Sequence, residues 1–463
     1  MNIHSKFSLP TRILVVYTFP SFIIALPTIP VYINLPTLYG VTLDLGLAAV
    51  GFALVGARVF DTISDPLVGL LSDRWGFRNA RRKPWIAIGA VIAGFGLFKV
   101  LNPPEEPDTT FLLIWCIILY AGWTLVSVPY LTWGAELSTN YNERTRITAW
   151  REGFGLTGIL AAGGIAALAP SLGWSEREGT ESIAWLAIGM GTIIIPIMLW
   201  FVPDPVSRPP PINHHAKKNT VKRLYTIFKN RLFLRLLCTW FLNGIANGIP
   251  AALFLIYLEH GLNASAEVRP LFIFVYFLAA IFSIPIWLSA SRYLGKHRVW
   301  SWAMLLASIA FITVPFMPMG SLALFTGVCI VTGVAFGADL CLPPSIQADV
   351  IDYDRWRFGE ERAGLQFALW GMSTKLALAI AVGVSLPSLE MLGFDPDSPT
   401  KQGISTLIVI YACIPVVIKV LAVSVIWEFP LNSAKQAAIR RRLDRQQLTL
   451  VQKRPHSNAK PFN

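Results

Sequence analysis

The chain has 463 residues, of which 54% are hydrophobic and only 14% charged. A soluble domain carries about 25% charged residues, so this composition excludes an ordinary soluble protein and predicts an all-α integral membrane protein. The formal net charge is +12, but the basic residues fall in alternate loops rather than one patch, so no nucleic-acid partner is expected.

The apolar runs predict twelve spans, at about 13–35, 46–71, 85–102, 110–133, 147–170, 182–202, 232–258, 269–289, 299–316, 321–343, 363–390 and 402–428. Arg74, Arg78, Arg81, Arg82 and Lys83 follow span two, and Arg144 and Arg146 follow span four. Arg208, Lys217, Lys218, Lys222, Arg223 and Lys229 follow span six; Arg292, Lys296 and Arg298 follow span eight. The loops between these hold little lysine or arginine, Arg177 and Lys401 being the exceptions. This alternation predicts both termini in the cytoplasm and a place in the plasma membrane, or the bacterial inner membrane.

The connection Pro203–Arg231, with Pro209-Pro210-Pro211 and the solvated pair His214-His215, predicts a division of the chain. Residues 1–202 form one six-helix bundle, 203–231 a cytoplasmic linker, 232–432 a second six-helix bundle, and 433–463 a basic tail that begins as an amphipathic helix on the anionic inner leaflet. Weak repetition supports equivalent halves: Gly69-Leu-Leu-Ser-Asp73-Arg74-Trp-Gly76 ends span two, and Ser289-Ala-Ser-Arg292-Tyr-Leu-Gly295-Lys296 ends span eight. The cysteines Cys116, Cys238, Cys329, Cys341 and Cys413 lack metal-ligand or redox spacing and read as small core residues. No catalytic triad, P-loop, transition-metal site or organic cofactor is indicated, so an enzyme is not expected.

Span two carries the conspicuous chemistry, Arg58-Val-Phe-Asp61-Thr-Ile-Ser-Asp65-Pro66. Each charge costs about 2.5–3.5 kcal/mol at the centre of a membrane helix, so such residues are rare and usually functional. At about 100° per residue, Arg58, Asp61, Asp65 and Gly69 share one face. Asp61 and Asp65 are one turn apart and can converge on a small cation. Pro66 has no N–H, which frees the carbonyl of Thr62 and predicts a break in the helix. Two carboxylates beside a free carbonyl suit Na⁺, Li⁺ or a proton better than a transition metal. The bland alternative is a structural ion pair of Arg58 with Asp61, but one arginine cannot neutralise two acids.

Gly69-Leu-Leu-Ser-Asp73-Arg74-Trp-Gly76-Phe-Arg78 resembles the loop signature of the major facilitator superfamily. With the preceding aspartates, Asn142-Glu-Arg144-Thr-Arg146-Ile-Thr-Ala-Trp150-Arg151-Glu152, Ala348-Asp349-Val-Ile-Asp352-Tyr-Asp354, and Gly364-Leu-Gln-Phe-Ala-Leu-Trp370 leading to Lys375, the chain is similar to the glycoside-pentoside-hexuronide:cation symporter family. The resemblance covers essentially the whole chain. It implies the two-bundle, pseudo-symmetric major facilitator fold. It implies a coupling-cation role for Asp61 and Asp65, with Lys375 near them and, with Arg58, linking the bundles. Helix lengths agree: Asp61 lies roughly 15 Å and Lys375 roughly 18 Å from the cytoplasmic ends of their helices. Asp73, Arg74 and Arg78 are the expected cytoplasmic latch.

Two departures bear on the solute. The family's sugar carriers use acids in helices one and four, but span one here has no Asp or Glu, and the helix-four position is Ser127. Ser127 can offer a neutral oxygen to Na⁺, yet cannot accept several sugar hydroxyls as a carboxylate does. The same pattern without the sugar acids also occurs in lysophospholipid symporters. Trp123, Tyr130, Trp150 and Trp370 are candidate solute contacts, with packing as the alternative for each. Arg151 matches a substrate-side arginine of the family and could equally pair with Glu152 or Glu136. Asp339 in span ten is a further intramembrane charge, a possible second titratable group, and Lys419 in span twelve could face a partner helix. The expectation is a monomeric, cation-coupled (Na⁺ or H⁺) symporter of an organic solute. A sugar or glycoside is the first expectation, a lysolipid or other amphiphile the second, and a non-transporting receptor the third.

Overall fold

A computed structural model of the chain describes residues 9–28, 47–74, 80–104, 106–169, 173–174, 176–204, 226–265, 268–360, 362–394 and 400–452, with isolated positions between 30 and 45. Before the central connection lie α1 (Thr11–Thr18), α2 (Pro20–Ala25), α3 (Leu47–Arg74), α4 (Lys83–Leu101), α5 (Thr109–Leu137), α6 (Tyr141–Leu168) and α7 (Glu176–Phe201). After it lie α8 (Arg231–Ile256), α9 (Arg269–Leu294), α10 (Lys296–Thr313), α11 (Leu322–Phe358), α12 (Ala363–Met391), α13 (Lys401–Ile408), α14 (Ile414–Ile426) and α15 (Ser433–Gln452). Helices prevail because a chain in lipid must satisfy its backbone polar groups internally. Among the described residues, nine helices are long and apolar enough to cross a membrane. α3 and α6 are equally long, 28 residues each, but carry more charge. Phe52, Val91, Trp200 and Phe282 point outward, an apolar exterior that lipid solvates.

Polar caps set several helix starts. The side chains of Asp108, Asn140 and Asn230 accept from backbone N–H groups of the first turns of α5, α6 and α8, and Thr400 does so for α13. Two expectations need correction. α3 is not broken at Pro66: the helix runs on from Leu47 to Arg74 with the proline inside it. A proline removes one backbone bond, and in a membrane helix neighbouring groups absorb that loss. Span ten does not stop near residue 343: α11 passes through Pro343 and Pro344 to Phe358, ending at Gly359 with φ 67°. Asp349, Asp352 and Asp354 therefore lie on its last turns instead of in a loop. Span one begins as α1 and α2, and the described positions 28, 30, 31 and 35 beyond them are helical too. The tail helix α15 docks on α11: Gln436 Nε2 and Arg440 Nη1 lie 3.3 and 3.2 Å from Asp352, and Arg442 covers the Trp356 ring at 5.4 Å. Most of the 203–231 linker, including His214-His215, lies outside the described residues.

Before the central connection, α4 packs on α5 and α5 on α3; after it, α9 and α10 pack on α11, and α8 packs on α12 and α14. The two sets meet where α3 lies on α12 and where α6 lies on α9 and α11. At the first crossing a Cβ on Gly69 would stand 2.6 Å from the Gly364 carbonyl oxygen, and one on Gly364 would stand 2.7 Å from that of Gly69. Only glycine at both positions allows this approach of backbones.

Candidate cation and solute site

α3 and α12 cross with their charged residues facing. Lys375 Nζ lies 2.8 Å from Asp61 Oδ2 and 2.8 Å from Asp65 Oδ2. The carboxylates are nearly sealed, 5% and 3% exposed, while the lysine side chain keeps 30% exposure. Thr124 of α5 closes the other side, its hydroxyl 3.2 Å from Asp61 Oδ1 and 2.9 Å from Asp65 Oδ1. A hydroxyl has one proton, so Thr124 donates to one carboxylate at a time. Arg58 Nη1 stands 3.7 Å from Asp61 Oδ2 and over the Tyr120 ring at 4.8 Å. Gly371 of α12 leaves room for this: a Cβ there would approach Asp65 Oδ2 to 3.3 Å. Two cations and two carboxylates make the group formally neutral, which is how such charges persist away from water. The geometry puts an ammonium on a tether between oxygens that could hold a free cation.

The other expected residues spread out. The Thr62 hydroxyl donates to the Arg58 carbonyl at 2.9 Å along its own helix. Ser127 lies one turn beyond Thr124, and it is Thr124 that touches the carboxylates. Tyr130 is buried against Tyr17, the rings 4.9 Å apart, and each hydroxyl donates to the other's backbone carbonyl at 2.8 Å. Trp370 is buried and stacks on Trp240 at 4.5 Å. Trp123 packs against the apolar cluster around Cys116 and Leu119. Trp150 is 38% exposed, with its ring 6.2 Å from Phe154. Arg151 is buried and bonds Glu152 Oε1 at 2.5 and 3.2 Å.

Asp73, at the end of α3, is held by partners the sequence did not point to. It accepts from the N–H groups of Gly364 and Leu365 at 2.9 and 3.0 Å, at the start of α12, where a helix favours an anion. Arg82 Nη2 lies 2.9 Å from Asp73 Oδ1 and 2.8 Å from Glu136 Oε1, and Arg81 Nη2 is 3.5 Å from Asp73. Burial opposes the charge on Arg82, but Glu136 and Asp73 outweigh it and raise its pKa above the ordinary guanidinium value. Arg78 lies outside the described residues, as does the side chain of Arg74. A second ionic group joins α6 to α10 and α11: Arg144 Nη1 reaches Asp349 at 3.1 Å and Asp352 at 2.7 Å, and Lys296 Nζ reaches Asp349 at 2.5 Å.

Asp61, Asp65 and Lys375 were readable because each interrupts an apolar run. Thr124 was not: it and Ser127 lie on roughly one helical face, and both are small hydroxyl residues of a kind common in membrane helices. Arg81, Arg82 and Glu136 were visible only as loop and helix-end charges; their pairing with Asp73 is tertiary.

The described residues are helical almost throughout, with charges paired between helices before and after the central connection, as in a membrane carrier. The sequence profile of the family described as MFS/sugar transport protein matches residues 16–433, and the chain belongs to that family. It is 23% identical over 409 residues to the putative glycoside/cation symporter YagG of Escherichia coli (strain K12), covering 86% of this chain and 87% of that one. It is also 23% identical over 430 residues to the sodium-dependent lysophosphatidylcholine symporter 1 of Homo sapiens, covering 85% and 78%. Among solved structures it resembles a bacterial homologue of the iron transporter ferroportin in an outward-facing state, with a TM-score of 0.67, 13% identity, and coverage of 90% and 98%. The proton:xylose symporter XylE gives a TM-score of 0.64 at 16% identity, covering 91% and 96%. These likenesses establish the fold.

Proposed function

We propose that the chain is a symporter that couples a monovalent cation, sodium or a proton, to an organic solute of the sugar or glycoside class. The observation that carries this is the Lys375 ammonium, 2.8 Å from each of two sealed carboxylates of the other half. Arriving sodium would take the carboxylate oxygens and the Thr124 hydroxyl; an arriving proton would neutralise one acid. Either releases Lys375, and with it one tie between α3 and α12. The halves can then rearrange about a midplane solute, the alternating access of such carriers. The names of relatives such as the putative glycoside/cation symporter support this reading. A second reading, a lysolipid or other amphiphile as solute, is favoured by the lack of acidic residues in span one. One chain supplies both halves of the site, so a monomer suffices.

The test is cation-dependent uptake in proteoliposomes. Asp61→Asn and Asp65→Asn should reach the membrane folded and lose gradient-driven accumulation. If both variants concentrate solute with the wild-type cation dependence, the group is a structural ion cluster and the reading fails. The orientation is part of the proposal: termini and basic loops face the cytoplasm of a plasma or inner membrane, and the Asp73 contact closes that side. Lys229→Cys, exposed at the end of the linker, should then react with an impermeant thiol reagent only from the cytoplasmic face. Labelling in sealed, right-side-out vesicles would reverse the orientation.

A further inference from the structure

A second buried polar cluster lies away from the aspartate pair, among helices that all follow the central connection. Asp339 of α11 is 4% exposed and accepts from Trp300 Nε1 at 2.6 Å and Asn247 Nδ2 at 2.9 Å. Lys419 of α14 is 2% exposed and donates to the side-chain carbonyls of Asn243 and Asn247 at 2.8 and 2.7 Å. Asn247 thus bridges an anion and a cation, and the cluster is formally neutral. Its hydrogen-bonding capacity is not used up. A carboxylate offers about four acceptor positions and an ammonium has three donors. Among the described residues Asp339 has two donors to it and Lys419 two acceptors. Asn243 is fully buried, and its Nδ2 finds no acceptor among the described residues. Unused polar capacity this far from water is costly, and a bound molecule would satisfy it.

Asn247, Asp339 and Lys419 also line a cavity of about 250 Å³ between α8, α9, α10, α11 and α14. Its other walls are largely apolar and rich in rings, Phe277 and Phe336 among them. Small-molecule sites have this form, apolar walls with a few convergent polar groups. Every lining residue lies after the central connection, so the cavity moves as a body with that half. A molecule held in it does not change sides of the membrane when the halves rearrange. The cavity therefore suits a ligand that stays, distinct from the solute that passes between the halves. A run of rings leads from it to the cation site. Trp300, bonded to Asp339, is 6.5 Å from Trp240, which stacks on Trp370 and donates to the Thr374 hydroxyl at 2.7 Å, next to Lys375.

We propose that this cavity binds a small, neutral aromatic alcohol or primary amide, which is not transported and which modulates the cation site from within the later half. A hydroxyl or primary amide can donate to the free positions of Asp339 and accept from Lys419. Asp339 and Lys419 already balance, so a charged ligand would leave an uncompensated charge away from water. An apolar cavity of about 150 Å³ holds benzene, so this one has room for a ring and a few further atoms. The phenylalanine walls favour an aromatic ring over an alkyl chain of the same area. A group that donates to Asp339 shares that carboxylate with Trp300, and a shift of Trp300 is passed through Trp240 to Thr374, beside Lys375. The modulation rests on the symporter reading above; the binding does not.

The experiment is titration of the full chain in phospholipid nanodiscs with benzyl alcohol and benzamide, followed by tryptophan fluorescence against empty nanodiscs. At least one of the two should bind saturably, tenfold or more tightly than toluene, acetamide, benzoate and benzylammonium. Asp339→Asn and Ala307→Phe, which fills the cavity, should each weaken that binding tenfold or more. Ala251→Trp, at an exposed lining position that tolerates a large side chain, should do the same if Ala307→Phe does not fold. No saturable binding of either probe overturns the proposal, as do equal binding of toluene or of a charged analogue and unchanged affinity in the folded variants. Gradient-driven accumulation of labelled benzamide in proteoliposomes would make it a solute and also overturn it. Sodium and pH titrations of the same nanodiscs, with and without saturating probe, test the modulation. The half-point for sodium or protons should shift threefold or more, and Trp240→Phe, which removes the bond to Thr374, should reduce that shift without changing probe affinity. A cation response that ignores the probe defeats the modulation, and a shift that survives Trp240→Phe defeats the ring route. Probe binding that obeys the pocket variants in a chain with no cation response defeats the symporter reading and leaves the site standing.

Discussion

Two ionic groups tie α3 to α12, and they are built differently. At the end of α3, Asp73 is over-supplied: two backbone N–H groups, Arg82 and Arg81 all reach it, and Arg82 also holds Glu136. Midway along the same helix, Asp61 and Asp65 share one ammonium and one hydroxyl, with Arg58 at the longer distance of 3.7 Å. The first arrangement has partners to spare and is suited to hold a joint. The second has just enough, from flexible side chains, and is suited to exchange. A lysine, a compact charge on a four-carbon stem, can leave and return, whereas a guanidinium locked into two acids cannot do so cheaply.

The largest expected difference follows from exchanging the two cations for apolar residues. Lys375→Met should fail at gradient-driven uptake, by two orders of magnitude or more, because the carboxylates lose their tethered partner. Arg82→Met should instead lower stability: it strands Asp73 and Glu136 at a buried joint, and breaking a buried pair costs about 3–5 kcal/mol. Thermal unfolding in nanodiscs and uptake in proteoliposomes separate the two. If Arg82→Met is as stable as wild type, the joint is not the structural member of the comparison. Lys375→Met combined with Asp65→Asn should be non-additive, since the residues touch.

A smaller effect is expected from loosening the joint without removing its cation. Asp73→Asn keeps the shape but weakens the bonds to Arg82, Gly364 and Leu365. The equilibrium should move towards the form open at this end, by about 1–3 kcal/mol, the usual size of such couplings. Gly364→Ala should move it the same way, through the 2.7 Å clash with the Gly69 carbonyl. The reporter is a cysteine at Thr145 in a cysteine-free chain: Thr145 meets Ser345 of the other half at 2.8 Å, so its reactivity rises only when the halves part. Unchanged reactivity in both variants would leave this end without a latch.

The same contrast explains what could be read without coordinates. The fold was legible because long apolar runs report directly on a lipid surround. The group midway along α3 was legible because Asp61, Asp65 and Lys375 are each out of place in an apolar helix. The joint was legible only as Asp73; Arg82 and Glu136 sit where charges are ordinary, and the Gly69–Gly364 approach joins positions nearly three hundred residues apart. Pro66 misled because a proline's missing N–H looks decisive in isolation, whereas a packed membrane helix carries it without a break. Asp339 and Lys419 were each visible as intramembrane charges, but Asn247, which joins them, has no sequence signal.

The smallest expected effect sharpens the comparison at the level of one hydroxyl. If the midplane group is a cation site, its neutral oxygen comes from Thr124, at 3.2 and 2.9 Å from the carboxylates, and Ser127 is one turn removed. Thr124→Val keeps the shape and removes the hydroxyl, so the carboxylate pair loses its one shared donor and an arriving sodium loses a ligand. A hydrogen bond to a charged group contributes about 1.5–3 kcal/mol, so the cation affinity governing uptake should weaken roughly tenfold to a hundredfold. Part of that loss is repaid, because the empty site loses the same bond and its resting state rises in energy; the lower figure is therefore the better expectation. Ser127→Ala should change the affinity by less than about twofold, within the range of substitutions that disturb no specific contact. The measurement is the cation concentration for half-maximal uptake, at fixed solute, in proteoliposomes of each variant. Equal effects would mean that the helix turns to present either hydroxyl, and a larger effect at Ser127 would place the bound-state oxygen one turn from where the empty site shows it.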